Sequence, residues 1–228
     1  MTVNEEVTAT IEEYLECIYK LQEKSEVART SDIVKSLGVA PGTVTNTVAW
    51  LEKENLVTHK PYKGVKLTQK GRKIALRVIR KHRLSERLLV DILHMEKDRV
   101  HDVACKLEHS ITDEMIKPLE EALKYPKTCP HGNPIPTEDG EIIEEKSLPL
   151  LELAVGEQGT VVKITEERSD LLRYLDKIGL APKVQIEILE KAPFNGPITM
   201  KIGSTNHAIS RAVASIIQVK RAKNNEGG

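Results

Sequence analysis

The hydrophobic period of this chain changes once, and that change limits its fold more than any other feature. Up to about residue 125, apolar residues recur at three- to four-residue spacing. From about residue 148 they alternate or are β-branched. Between the two runs lies YPKTCPHGNPIP, with four prolines and a glycine, which reads as a linker. A helical part followed by a separate β part predicts an α+β protein rather than interleaved βαβ units. At 228 residues the chain is long enough for two or three domains. Its longest apolar stretch, 148–155, is broken by Pro149 and Glu152 and falls far short of the roughly 20 residues a membrane span needs. No membrane partner is expected. The start, MTVNEEVTATIEE, has no apolar secretory core. Three cysteines at no framework spacing fit a reducing, cytoplasmic setting.

Within the helical part, residues 10–24 carry an apolar stripe of Ile11, Leu15, Ile18 and Leu21 at helical spacing. Residues 29–37 open a second helix, with Thr30 or Ser31 as N-cap. Gly38-Val39 is a tight turn, and Pro41 sits where a first helical position tolerates it. A third helix runs from there with Val44, Val48 and Leu51 inward. Two short β-like runs at 57–60 and 65–68 flank a turn. Helix, turn, helix and hairpin in this order predict a winged helix-turn-helix.

Charge agrees with that reading. The net charge of the chain is zero, yet residues 27–80 hold eleven basic against three acidic side chains, a local +8. Such a patch suits double-stranded DNA. Aromatic residues make up only 3%, which disfavours stacking on single strands. Ala40, Pro41, Gly42, Thr43, Thr45 and Asn46 are the expected groove-facing residues. Asn can bond adenine bidentately, Thr offers a hydroxyl or a methyl, and small residues allow close approach. Arg29, Lys60 and Lys63 are expected on phosphates.

The helical middle carries the chemistry. GRKIALRVIRKHRLSERLLVDIL and KDRVHDVACKLEHSITDEM read as two long helices. On the second, His101, Cys105, Glu108 and His109 share one helical face; on the first, His82 and Glu86 are i, i+4 neighbours. Imidazole, thiol and carboxylate together suit a divalent first-row transition metal rather than Ca²⁺ or Mg²⁺. A single cysteine without CxxC does not make a closed zinc site. Two other readings stay open here: a metal-free winged-helix regulator sensing through Cys105, and a metalloenzyme. Against the enzyme stands the absence of a nucleophile–base pair, a phosphate loop or a spare general base. In CPHGNPIP, Cys129 and His131 are alternative ligands, although the segment reads first as a proline-stiffened linker. From 148 on, a five-stranded barrel of about 75 residues is expected, with a short helix at 170–178.

EEYLECIYKL, the helix-turn-helix stretch, KGVKLTQKGRKIA, RKHRLSERLL, VHDVACKLEHSITDE and CPHGNPIP together resemble the iron-dependent repressors of the diphtheria toxin repressor type, with the manganese transport regulators as a branch. The resemblance covers about 1–140 and extends more weakly to a C-terminal SH3-like barrel. It implies a winged helix-turn-helix at 1–73, an all-α metal-binding and dimerisation domain at 74–142 and the SH3-like domain at 148–222. It further implies a regulatory site of Cys105, Glu108 and His109 completed by Glu13 from the first helix, where iron-type members have Met. Glu16 matches a second carboxylate of the manganese branch. An ancillary site would take His82, Glu86 and His101, completed from the barrel by Glu167 and Asp170.

The implied protein is a homodimeric repressor of metal-uptake genes, not an enzyme. It would be activated by Fe(II), in whose place Mn(II), Co(II), Ni(II) or Zn(II) can bind. A thiolate favours Fe(II) over Mn(II), while a carboxylate in place of a thioether moves the site toward Mn(II). Leu88, Leu89, Ile92 and Leu93 are the expected dimer surface.

Overall fold

The computed structural model describes residues 8–61 and 63–222. The chain packs as two compact units. One holds the described residues up to His82 together with Glu108–Thr112 and Pro136–Glu141; the other holds Arg83–Leu107, Asp113–Ile135 and the chain from Ile142 on.

The first unit begins with α1 (Ala9–Lys24), capped by Thr8, whose side chain accepts from the Ile11 amide. α2 (Thr30–Leu37) follows. Its N-cap is Arg29, with no side-chain bond, so neither Thr30 nor Ser31 caps as expected; both lie inside the first turn. Gly38 ends α2 in the left-handed region at φ 66°, its amide returning to the Val34 carbonyl. That conformation is open to glycine at little cost and gives the sharp turn into α3 (Pro41–Lys53). The hairpin β1 (Val57–Lys60) and β2 (Gly64–Leu67) pairs Val57 with Leu67 and Lys60 with Gly64. Ala28 and Val65 exchange both backbone hydrogen bonds, and Gln22 accepts from the Leu67 amide at 2.9 Å, so the wing is tied to the end of α1. Leu15, Ile18, Ile33, Val44, Val48, Leu51, Val65 and Ile79 are fully buried. Each such side chain contributes roughly 1.5–3 kcal/mol by burial.

α4 (Gln69–Arg87) crosses from the first unit's sequence into the second's, the division falling after His82. It does not continue as an α-helix to residue 93: Leu88–Ile92 form a π-helical turn. The second expected long helix is also broken. α5 is Val100–Leu107, Glu108–Ser110 is a 3₁₀ turn, and α6 is Asp113–Ala122. The overwound turn removes Glu108 and His109 from the regular face that the sequence pattern implied.

The C-terminal part of the second unit is a six-stranded antiparallel sheet, one strand more than expected. Its strands are β3 (Leu148–Pro149), β4 (Gln158–Ile164), β5 (Gln185–Lys191), β6 (Ile198–Ile202), β7 (Thr205–Ile209) and β8 (Ile217–Arg221), in the order β3-β8-β4-β5-β6-β7. α7 (Ser169–Lys177) stands where a helix was expected, and α8 (Arg211–Ile216) takes residues 215 and 216, whose β-branched neighbourhood reads as the start of a strand over 215–219. Residues of β4 to β8 and both helices close one core, including Leu175, Ile188, Ile198, Ala214 and Val219. No described helix is long and apolar enough to cross a membrane.

Candidate functional site

α3 buries Val44, Val48 and Leu51 and leaves Pro41, Gly42, Thr43, Thr45 and Asn46 exposed, with Ala40 exposed at its N-cap. Arg29, Lys60 and Lys63 are exposed as well. All nine expected DNA-facing residues are therefore open to a ligand. One refinement concerns Thr45. Its hydroxyl donates to the Pro41 carbonyl at 3.0 Å, so its proton is engaged within the helix and only its methyl and its oxygen's accepting capacity are left for a ligand.

In the same unit, three elements bring donors together. Glu16 of α1, His82 of α4 and Glu108 of the 3₁₀ turn are all buried, and one ligand atom from each lies within 4.8 Å of the others. His82 Nδ1 is 2.5 Å from Glu108 Oε2. His109 Nδ1 is 2.7 Å from Glu12 Oε2, while its Nε2 faces Glu108 Oε1 at 3.2 Å and Glu13 Oε1 at 3.9 Å. Burial pushes the Glu108 carboxyl above its ordinary range, against the opposing hydrogen bond from His82. Burial likewise lowers Lys81, against the carboxylates of Glu12 and Glu108. Carboxylates crowded out of water call for a cation.

The second unit holds a separate set. Glu86 of α4, Cys129, His131 and Glu167 are gathered within 4.8 Å. His131 Nδ1 is 3.3 Å from Glu86 Oε1, and His101 Nδ1 lies 3.7 Å from Glu86 Oε1 and 3.8 Å from Glu167 Oε2. The thiol of Cys129 is pushed well up, first by burial and then by Glu86 and Glu167. For His131, burial lowers the pKa, but the hydrogen bond and charge of Glu86, with Glu167 behind it, outweigh that and leave it raised. Two carboxylates, an imidazole and a thiol in one buried pocket form a tetrahedral-capable donor set for a transition metal. The pKa directions are those of donors that hold protons until an ion displaces them.

The 129–134 segment is built to present these groups, which corrects its reading as a linker. The Cys129 amide bonds the Asn133 carbonyl and the Gly132 amide bonds the Cys129 carbonyl, closing a turn. Gly132 has φ 87°, and a Cβ there would stand 2.1 Å from the Val162 carbonyl oxygen. The Ile164 amide donates to the His131 carbonyl. Asn133 Nδ2 donates to the Ile164 carbonyl at 2.9 Å and to Glu167 Oε1 at 2.7 Å, orienting that carboxylate. Arg83 Nη1 donates to the Pro134 carbonyl.

Other expected donors are placed differently from the reading. Asp170 does not join Glu167: its side chain is 74% exposed, accepts from the Leu171 amide next to it, and lies near Arg168. Glu13 is 56% exposed and reaches His109 only at 3.9 Å; the close first-helix partner is Glu12, which sequence reasoning missed. Glu12 and Glu16 are i, i+4 on one helix face, and that spacing was the available signal. Cys105 Sγ lies 3.8 Å from His101 Nε2, its i−4 neighbour in the second unit.

Known proteins resemble the chain along its length. Residues 6–65 match the model described as the iron dependent repressor N-terminal DNA binding domain. Residues 68–137 match the iron dependent repressor metal binding and dimerisation domain, and 148–221 the FeoA domain. The iron-dependent repressor IdeR of Mycobacterium leprae is 32% identical over 224 residues, spanning 93% of this chain and 97% of that protein. The diphtheria toxin repressor of Corynebacterium diphtheriae is 41% identical over 127 residues, 56% of each. Among solved structures, a manganese-dependent transcriptional repressor in complex with manganese has a TM-score of 0.84 at 31% identity, covering 92% of this chain and 99% of its own. The repressor ScaR with bound Cd²⁺ has a TM-score of 0.82 at 29% identity, with coverages of 92% and 99%.

Proposed function

Because the chain belongs to the iron-dependent repressor family and is a metal-dependent transcriptional repressor, we propose that Fe(II) is the ion that switches it on, and that metal-uptake genes are what it controls. The observation that carries this reading is the donor set of the first unit. Glu16 and Glu12 belong to α1, in the same unit as the recognition helix, and they meet His82, Glu108 and His109 from later elements. An ion held by Glu16, His82, Glu108 and His109 fixes α1 against α4, and thereby the frame that carries α3. By reciprocity, operator binding must raise metal affinity by the same factor. Metal also neutralises carboxylates that would repel phosphate.

The divisions at 1–73, 74–142 and 148–222 are our assignment of the DNA-reading, helical and SH3-like parts. Within them, the protein reads double-stranded operator DNA as a homodimer. Ile92 and Leu93, 47% and 58% exposed beside buried Leu89, are the proposed contact of the two copies. Two-fold symmetry then matches a palindromic site. Glu86, His131, Cys129 and Glu167 hold a second ion, and His101 and Cys105 stand beside them in the same unit. Nothing in this scheme requires catalysis, so the protein acts as a regulator rather than an enzyme, in the cytoplasm where its DNA is.

Mn(II) is the second reading. It is favoured by the first donor set, which is all oxygen and nitrogen, hard donors that suit Mn(II) as well as Fe(II). The deciding experiment is a gel shift on the chain's own promoter with chelated, Fe(II)-loaded and Mn(II)-loaded protein under anaerobic conditions. Binding is expected only with metal and strongest with Fe(II). Equal binding after thorough chelation overturns metal control; stronger binding with Mn(II) at equal free metal replaces Fe(II). Glu16→Gln is expected to raise the metal concentration that binding requires.

A further inference from the structure

A cavity of about 580 Å³ opens within the second unit, bordering the second donor set at Cys129. Six cations line it: Arg87, Lys97, Lys127, Lys163, Lys183 and Lys220. Only two carboxylates do, Glu144 and Glu145. Lys163 pairs with Glu144 at 2.6 Å, Lys220 with Glu145 at 2.8 Å, and Arg87 with Asp91 at 2.7 Å. Lys97, Lys127 and Lys183 have no ion-pair partner among the described residues. The Lys163 side chain is only 15% exposed.

A concave wall with an excess of one charge sign focuses the field and raises the local concentration of counter-ions. It also costs self-repulsion until an anion enters. The two resident carboxylates come from a stretch without regular structure, and both are half exposed, so they are the part that can yield. The rest of the wall is apolar in part, with Pro126, Pro130, Pro182 and Val161. The volume lies in the range of about 300–1,000 Å³ typical of small-molecule sites and far exceeds that of one inorganic phosphate.

We propose that this cavity binds a small phosphorylated organic anion of nucleoside-diphosphate size. Its phosphates replace Glu144 and Glu145 on the lysines, and its organic part lies against the prolines. The site gives the repressor an input besides metal. Cys129 belongs both to this wall and to the second donor set, so metal is kept out of the test.

The test is calorimetric titration of the full chain, stripped of metal, with ADP, pyrophosphate, adenosine and a short DNA duplex in turn. ADP is expected to bind at one equivalent, weakening as salt rises, with pyrophosphate weaker and adenosine undetectable. Lys163→Gln combined with Lys183→Gln should weaken ADP by about tenfold or more. Glu144→Gln, a change at a half-exposed residue that spares the fold, should tighten it by removing the competing carboxylate. No binding of ADP at millimolar concentration overturns the proposal. So does ADP affinity indifferent to both variants, adenosine binding as well as ADP, or duplex binding lost in the lysine variant while ADP is not held.

Discussion

The two donor sets of this protein differ in chemistry and in how they are assembled. In the first unit Glu16, His82 and Glu108 offer only oxygen and nitrogen, and they come from α1, α4 and the 3₁₀ turn of the unit that carries the winged helix. In the second unit Glu86, Glu167 and His131 are joined by the sulfur of Cys129, and half of the set comes from a short loop closed on itself at Gly132. The first set therefore reports on the position of α1, which the DNA-reading helices pack against. The second reports on the C-terminal sheet and its adjoining loop. On the function proposed above, coupling to DNA would belong to the first set, and the thiol gives the second the softer donor chemistry.

The sharpest way to break this contrast is Glu108→Ala. It leaves buried His82 without its 2.5 Å partner, and removing one member of a buried pair costs about 3–5 kcal/mol. Metal-dependent operator affinity should fall by about 5- to 150-fold, read by gel shift at fixed free metal. An unaltered operator affinity would place DNA coupling elsewhere. Next in size is Gly132→Ala. Its Cβ would meet the Val162 carbonyl at 2.1 Å from a left-handed backbone, so melting should show a loss of about 2–3 kcal/mol in the second unit. Operator binding at saturating metal should change little, which distinguishes the two sets.

Two substitutions at orienting residues come third. Glu12→Gln loosens the carboxylate on His109 Nδ1, and Asn133→Ala frees Glu167. Each should cost about 10–100-fold in affinity for one ion only, in equilibrium dialysis with two-site fitting. If either weakened both ions equally, the sets would not be separate.

The smallest expected effect is in pH. His131 carries a raised pKa in the fold, chiefly because Glu86 outweighs its burial. A raised histidine stabilises the fold fully below its unfolded value, and that contribution is lost as pH climbs through the folded value. Metal-free stability should therefore fall as pH rises above the ordinary histidine value of about 6.5. Glu86→Gln should flatten the profile. With metal bound the slope should reverse, because the ion takes neutral imidazole and thiolate. Chemical denaturation across pH, with and without metal, reads both signs.

Much of this architecture is legible in the residues themselves. The apolar spacing of Leu15, Ile18, Val44 and Val48, the Gly38 turn and Pro41 at a helix start are local signals, and the backbone obeys them. The ligand types at His82, Glu86, His101, Cys105, Glu108 and His109 are visible from composition and spacing alone. The 3₁₀ turn at Glu108–Ser110 and the π-helical turn at Leu88–Ile92 are not, since both are departures that packing imposes on sequences able to continue an α-helix. The choice of Glu12 over Glu13 beside His109 depends on a rotation of about 100° per residue about α1, which a pattern of neighbouring glutamates does not fix.

The order of elements, the inward faces of the helices, the basic character of the reading module and the kinds of atom available to an ion all follow from the amino-acid sequence. Those properties depend on side-chain type and near-neighbour spacing, both written along the chain. Which donors meet is a matter of tertiary packing. The fold brings Cys129 and His131 out of what reads as a proline-rich linker, sets them beside Glu86 and Glu167, and leaves Asp170 in solvent. Contacts between residues as far apart as Glu86 and Glu167 exist only once a sheet edge, a glycine at positive φ and an amide hydrogen bond have fixed the backbone between them.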